Sequence, residues 1–386
     1  MTAQRRRRAP SRERLCFYDE RVLERQREGW LAGEARLKRL VGELLEAAEE
    51  ARAAPVPSLL DKTGCAPSGD PRDYWEPAPY WWPDPRRPDG LPYVRRDGVA
   101  RPESRLYSAE SRAYDPSSRQ RFFDGLTLLA LAWYFTRERR FAQQAAKLAR
   151  TWFVAPRSRM NPHLRYAQVR MGHGEEGTGP GIVAFRDLAH VLDALRLVAR
   201  SGELRAGEAA AVRAWFAQFL AWLRSSPQGR EAQAHRNNIG TCYELVATAV
   251  ALYVGEQRFA RARLAAARRR IAVQLTPEGG QPLEAARTRP LHYALFNLHL
   301  WASLARLARS LGAALWRFDA GAGRSLAKAL TALQARARRD RSLQASDRAR
   351  LRVVTAFAAP GTAPSTRAPM RPHPGAGAAP FWRCGL

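Results

Sequence analysis

The stretch LHYALFNLHLWASLARLARSL, Leu291 to Leu311, decides the fold class. Leu300, Leu304, Leu307 and Leu311 recur at steps of three and four, which puts them on one stripe of an α-helix. The same texture extends back to Arg121. Leu126, Leu129, Ala130 and Trp133 fall on one helical face, and Phe141 to Phe153 gives a second segment. Further helical runs cover Ile182 to Ala199, Ala206 to Leu223, Gly240 to Tyr253 and Arg258 to Gln274. Strand-type alternation is absent over any comparable length. Successive helices joined by short turns predict stacked helical hairpins, and no fixed-period repeat marks a solenoid. The expected fold is therefore all-α, a single α/α toroid built as an incomplete barrel of helical hairpins.

The flanks read differently. Residues 1–55 form a basic lead, with Arg5 to Arg8, Arg12 and Arg14, followed by a helix around Val41 to Glu50. From Pro55 to Ser118 the period is lost and Pro, Gly, Asp and aromatic residues dominate. So long an irregular stretch inside a compact domain is usually functional. After Thr331 the chain is rich in Arg and then in Ala, Pro, Gly and Thr. That composition predicts an unpacked tail over 331–386, leaving 56–330 as the folded domain.

The net charge of +28 attracts polyanions: nucleic acid, anionic membrane or acidic polysaccharide. A GC-rich coding bias towards Arg accounts for such an excess equally well. No nucleic-acid motif accompanies the charge, so a nucleic-acid partner is not expected. No apolar run reaches membrane-spanning length, so no membrane partner is expected either. The basic lead runs into Leu15-Cys16-Phe17-Tyr18, which Asp19 and Glu20 interrupt at once, so no export signal is legible. Cys16, Cys65, Cys242 and Cys384 form no CxxC pair, and neither a metal site nor a disulfide framework nor a cofactor is indicated. The sequence is silent on oligomeric state.

Three segments carry specific polar and aromatic residues. The first runs from Lys62 to Pro85 and contains Tyr80, Trp81 and Trp82 on a Pro-stiffened loop. Such rings stack on pyranose faces, or they pin the loop to the helices. The second, His235 to Tyr243, opens a helix with Asn237 and Asn238. Paired Asn at a helix start serve as a cap, or they offer amide donors to a carboxylate with the helix dipole behind them. The third, Gln281 to Tyr293, sets Arg287, Arg289, His292 and Tyr293 at the start of a helix. Arg suits bidentate carboxylate binding, and a nearby Arg lowers the pKa of a Tyr; an ion cluster with Glu284 explains the same residues.

Together these segments resemble the alginate lyase family, the helical-toroid polysaccharide lyases. The matching stretches are KTGCAPSGDPRDYWEPAPYWWPDPRRPDGLPYVRRDG (62–98), RMNPHLRYAQ (159–168), NNIGTCYELVATAVALYVG (237–255) and QPLEAARTRPLHYALFNL (281–298). The resemblance implies β-elimination at a uronate of alginate or a related polyuronate. The substrate carboxylate is neutralised, the C5 proton is removed and the 4-linked sugar leaves. It implies Asn238 as the carboxylate-binding amide with Asn237 beside it, Tyr293 as the catalytic phenol and Arg287 as its arginine. Tyr80, Trp81, Trp82, Arg289 and His292 would meet the substrate, with Asn161, Tyr166 and Gln168 near the cleft. It also implies a periplasmic or secreted enzyme.

The resemblance breaks at two positions. The family has His directly after the paired Asn, where this chain has Ile239, and His where this chain has Arg72. Ile can neither neutralise a carboxylate nor take a proton. A relative that binds an acidic polysaccharide without cleaving it is the alternative this implies.

Overall fold

The computed structural model describes residues 14–341 and 343–358. Thirteen α-helices are found among them. In chain order they are α1 (Glu20–Leu31), α2 (Ala35–Ala53), α3 (Pro116–Thr136), α4 (Arg139–Phe153), α5 (Leu188–Ser201), α6 (Ala206–Ser225) and α7 (Pro227–Ala234). There follow α8 (Asn238–Val254), α9 (Gln257–Gln274), the one-turn α10 (Pro282–Ala285), α11 (Pro290–Ser310), α12 (Leu326–Arg339) and α13 (Ala345–Ala358).

Two kinds of helix alternate. In α4, α6 and α9 the buried residues lie on one face; in α9 these are Ala260, Leu264, Ala267, Ile271 and Gln274. By contrast α3, α5, α8 and α11 are buried almost all round. A helix apolar on every side belongs inside, and one with a single apolar stripe belongs at the periphery. The inner helices adjoin in series, α3 to α5, α5 to α8 and α8 to α11, while α4, α6 and α9 cover them from outside. That is the expected α/α toroid. Where α5 and α8 end, Gly202 and Gly255 adopt left-handed backbone (φ +81° and +90°), which lets each outer helix follow at once. Aromatic packing fills the ring on one side, with Phe122 stacked on Trp152 and Phe153 tilted against Trp215 and Phe216.

The irregular region expected between Pro55 and Ser118 contains short 3-10 turns and three short strands. These are β1 (Trp75–Pro77), β2 (Trp81–Trp82) and β3 (Val94–Arg95), and a fourth, β4 (Tyr166–Val169), follows α4. β1 pairs in parallel with β4, aligning Trp75 with Tyr166, and β2 pairs antiparallel with β3, aligning Trp81 with Arg95. Lys62 anchors the segment's entry. Its Nζ lies 3.2 Å from the buried Asp115 carboxylate and donates to the carbonyls of Leu59, Pro71 and Asp73.

The unpacked tail expected after Thr331 is corrected as far as Ala358. α12 and α13 pack on α11, burying Leu330, Leu333, Val353, Val354 and Phe357. Apolar residues spaced among many Arg suffice for an amphipathic helix once α11 supplies the other half of the core. The rest of the expected tail, the basic lead before Arg14 and Cys384 lie outside the described residues. Cys16, Cys65 and Cys242 are free thiols, and Cys242 is fully buried.

A short N-terminal segment ties α5 to α11 and α13. Both carboxylate oxygens of buried Asp193 on α5 accept backbone N–H groups from Cys16, Phe17 and Tyr18, at 2.8 to 3.1 Å. Arg196 donates to the same carboxylate at 2.9 Å. From α11, Arg306 donates to the Phe17 carbonyl, and the Phe17 ring meets Phe357 of α13. Asp193→Ala leaves Arg196 and three backbone donors uncompensated in the core. It is expected to cost about 3–5 kcal/mol, read as a lowered midpoint in chemical unfolding.

Candidate active site

The start of α8 is held more firmly than a helix cap requires. Asn237 caps it, its side chain accepting from Ile239 N at 3.1 Å. The next N–H groups, of Gly240 and Thr241, reach the Asn237 carbonyl. Asn238 gives its backbone N–H and its Nδ2 to the two carboxylate oxygens of Glu284 on α10, both at 2.8 Å. A carboxylate does dock at this helix N-terminus, as the sequence allowed, but it is the protein's own. Glu284 is 1% exposed and Asn238 3%. Burial pushes the Glu284 carboxyl pKa up, and the two bonds from Asn238 oppose that rise.

Behind the Asn pair lies a buried amide network. Gln274, ending α9, donates to the Asn237 carbonyl and accepts from Trp301 Nε1 and Asn297 Nδ2 of α11, at 2.9 to 3.0 Å. Asn297 also donates to Gln281 at 2.8 Å, just before α10. Three helices thus set the position of two asparagines. Gly240 is required here by close approach, since a Cβ would collide with the His235 carbonyl oxygen and the Arg270 guanidinium.

Tyr293 sits in the first turn of α11. Its hydroxyl is buried with no hydrogen-bond partner of good geometry among the described residues, and the Tyr80 phenol lies beside it. The Arg287 guanidinium stacks 3.7 Å from the centre of the Tyr293 ring. Arg287 is itself clamped by Asp97, through Nε and Nη2 at 3.0 and 2.7 Å, and Asp97 also bonds Thr288. Arg287 pairs with Asp97 and not with Glu284, so the alternative of an ion cluster with Glu284 gives way to a pair with a loop residue 190 positions away. The bonds from Arg287 hold the Asp97 carboxyl well below the usual range.

The expected lowering of the Tyr293 pKa does not prevail. Burial, followed by the neighbouring Tyr80, pushes the phenol far above 10, and Arg287 only partly opposes this. Sequence reasoning placed an Arg beside the Tyr correctly but could not see that Asp97 compensates the charge.

His292 and Arg289 face α13. His292 Nδ1 lies 2.8 Å from Asp347 Oδ1, and Arg289 Nη2 lies 2.7 Å from Gln344 Oε1 and 3.6 Å from Asp347 Oδ2. Asp347 also accepts from Arg350 at 3.2 Å. The His292 ring meets Tyr293 edge-on at 5.2 Å.

The aromatic loop is half-buried and ringed by cations. Arg170 stacks on Trp81 and Arg96 on Trp82, at 4.8 and 5.3 Å, His173 meets the Trp81 edge, and Trp82 Nε1 donates to the Val99 carbonyl. Among the described residues no hydrogen bond links Asn161, Tyr166 or Gln168 to the Asn238–Tyr293 group. Asn161 Nδ2 donates to Asp70 and Asp73, Tyr166 packs in a small cluster with Ala66 and Val169, and Gln168 donates to the Pro180 carbonyl. Arg72, where the resemblance expects His, forms a bidentate pair with Asp70. Ile239 is half-buried and packs against the core. Sequence reasoning missed Asp97 and Asp347. Asp97-Gly98 reads as an ordinary turn, and Asp347 lies in the Arg-rich stretch taken for tail. Among the described residues no group of three or more His, Cys, Asp or Glu is placed to hold a metal ion.

The chain matches the family model for alginate lyase over residues 58–343. An alginate lyase from Bacteroides ovatus is similar to it in structure, with a TM-score of 0.83 at 31% identity, covering 90% of this chain and 91% of that one. Alginate lyase A1-III from Sphingomonas species A1 is 14% identical, with a TM-score of 0.52, covering 86% and 82%. A form of A1-III complexed with a tetrasaccharide gives 14% and 0.54, covering 85% and 81%. At that identity these last two share the fold alone. No curated protein sequence matches the chain. The chain belongs to the alginate lyase family, whose members are polysaccharide lyases. Among the described residues no helix is long and apolar enough to cross a membrane.

Glu284→Ala leaves two buried Asn238 donors unpaired at the head of α8. The expected loss is about 3 kcal/mol, measured by thermal unfolding, whereas Glu284→Gln, which keeps one acceptor, loses less.

Proposed function

We propose that this protein cleaves alginate or a related polyuronate by β-elimination, in the periplasm or outside the cell. The observation that carries the reading is the buried, unpartnered Tyr293 hydroxyl under the Arg287 guanidinium. A hydroxyl enclosed without a partner is costly unless a ligand completes it. The phenol is protonated at neutral pH and buried beside Arg287, as an acid that hands a proton to the departing O4 oxygen must be. Arg287 uses Nε and Nη2 on Asp97, and among the described residues its Nη1 makes no bond, which leaves that nitrogen for a uronate carboxylate. One Nδ2 hydrogen of Asn238 is committed to Glu284, which fixes the direction of the other. Together they would offset the charge that grows as C5 loses its proton.

The Arg residues stacked on Trp81 and Trp82 support an acidic chain along the loop. Tyr80 would then meet the sugar nearest Tyr293, with Asn237 beside the carboxylate and Arg289 at the far side of His292. Ile239 favours a second reading, an impaired relative that binds the polymer without cutting it.

Incubation with alginate, polymannuronate and polyguluronate, followed by ultraviolet absorbance, separates the two. Elimination leaves a conjugated unsaturated uronate. A rise in absorbance is expected with at least one polymer; binding with no rise on any would establish the impaired form. Tyr293→Phe is expected to lower turnover by about 10²–10⁴-fold while polymer binding stays within a few-fold of wild type.

A further inference from the structure

We infer that His292, oriented by Asp347 of α13, is the general base of this site, a role resting on the elimination reading above. Elimination needs both an acid and a base. Tyr293 is enclosed and protonated, so it serves the leaving group and is poorly suited to draw a proton from carbon. Ile239 has no proton acceptor. His235 turns to Glu231 on its own helix, at 3.6 Å.

His292 is the imidazole whose ring adjoins Tyr293, at 5.2 Å and 82°. Its side chain is 22% exposed, while its partner Asp347 is 3% exposed. Asp347 engages Nδ1 at 2.8 Å, which leaves Nε2 as the second ring nitrogen of an oriented imidazole. A carboxylate at Nδ1 selects the tautomer with its lone pair on Nε2 and fixes the ring plane. Asp347 is held in turn by Arg350 and Arg289. The charged and titratable groups facing His292 are thus Asp347 and Arg350 from α13, Arg289 from the preceding turn and Tyr293 beside it. Asp347 is a positioning residue: it acts through His292 and does not touch the polymer.

The step balances without a further reactant. His292 Nε2 takes the C5 proton, and the C5–H electrons form the C4–C5 double bond. The C4–O4 bond breaks, and O4 takes the Tyr293 proton. Solvent then carries the proton from His292 back to Tyr293, restoring both groups.

The test is steady-state elimination by the full chain, His292→Asn and His292→Ala, on whichever of the three polymers the wild type cleaves. Asn places its amide nitrogen near the position of Nδ1, so His292→Asn keeps the bond to Asp347 but cannot take a proton. Both variants are expected to lose about 100-fold or more in kcat, with KM within a few-fold of wild type. Added imidazole is expected to restore part of the His292→Ala rate. Wild-type turnover in His292→Asn overturns the assignment alone, since His292 would then be no more than a strut to α13. A wild type with no elimination on any polymer overturns the lyase reading and the base with it, before any variant is compared.

Discussion

The bond on which the site depends is the double one between Glu284 and Asn238. A carboxylate buried this deeply is tolerated only where donors and a favourable field offset its lost hydration. Here two N–H groups and the positive end of a 17-residue helix supply both. Because the carboxylate belongs to α10, the bond fixes that short turn against α8. Arg287 follows Glu284 by three residues and Tyr293 by nine, so both are set by the same contact. Asp97 then draws the aromatic loop onto Arg287 and Thr288, and Tyr80 arrives beside Tyr293. One buried pair therefore registers a helix start, a turn and a loop that are far apart in the chain.

The ring of helices was legible because each inner helix is apolar on every side and each outer helix on one, and periodicity reports both directly. The paired Asn, Arg287 and Tyr293 were legible from their motifs and do gather at neighbouring helix starts. What stayed hidden were the partners. The Asp97–Arg287 clamp spans 190 positions, and neither residue signals the other locally. The Tyr293 pKa went the wrong way for the same reason: a neighbour can be read from spacing, but burial and a counter-charge from elsewhere cannot. α12 and α13 were hidden by composition. Their Arg-rich surfaces look like solvated tail until α11 is present to cover Leu333, Val354 and Phe357.

Charge is handled very differently inside and outside this ring. Outside, Arg residues are paired loosely or stacked on aromatic rings such as Trp133 and Phe259, where each contributes little. Inside, every cation near the site has a named task. Arg350 steadies Asp347, Arg306 closes the N-terminal segment, and Arg287 clamps Asp97 beneath the Tyr293 ring. The large net positive charge is thus mostly an attribute of the surface.

The N-terminal segment that ties α5 to α11 and α13 also sets the order in which the molecule can be completed. The Phe17 carbonyl and its Arg306 donor lie 289 residues apart, and Phe357 comes later still. During synthesis the segment can pair with Asp193 once α5 has emerged, but the Phe17 carbonyl and ring must wait for α11 and α13. Contacts of such sequence separation form slowly. Until then the Phe17 carbonyl lacks its Arg306 donor, and the growing chain carries an open seam between α5 and the helices still to come.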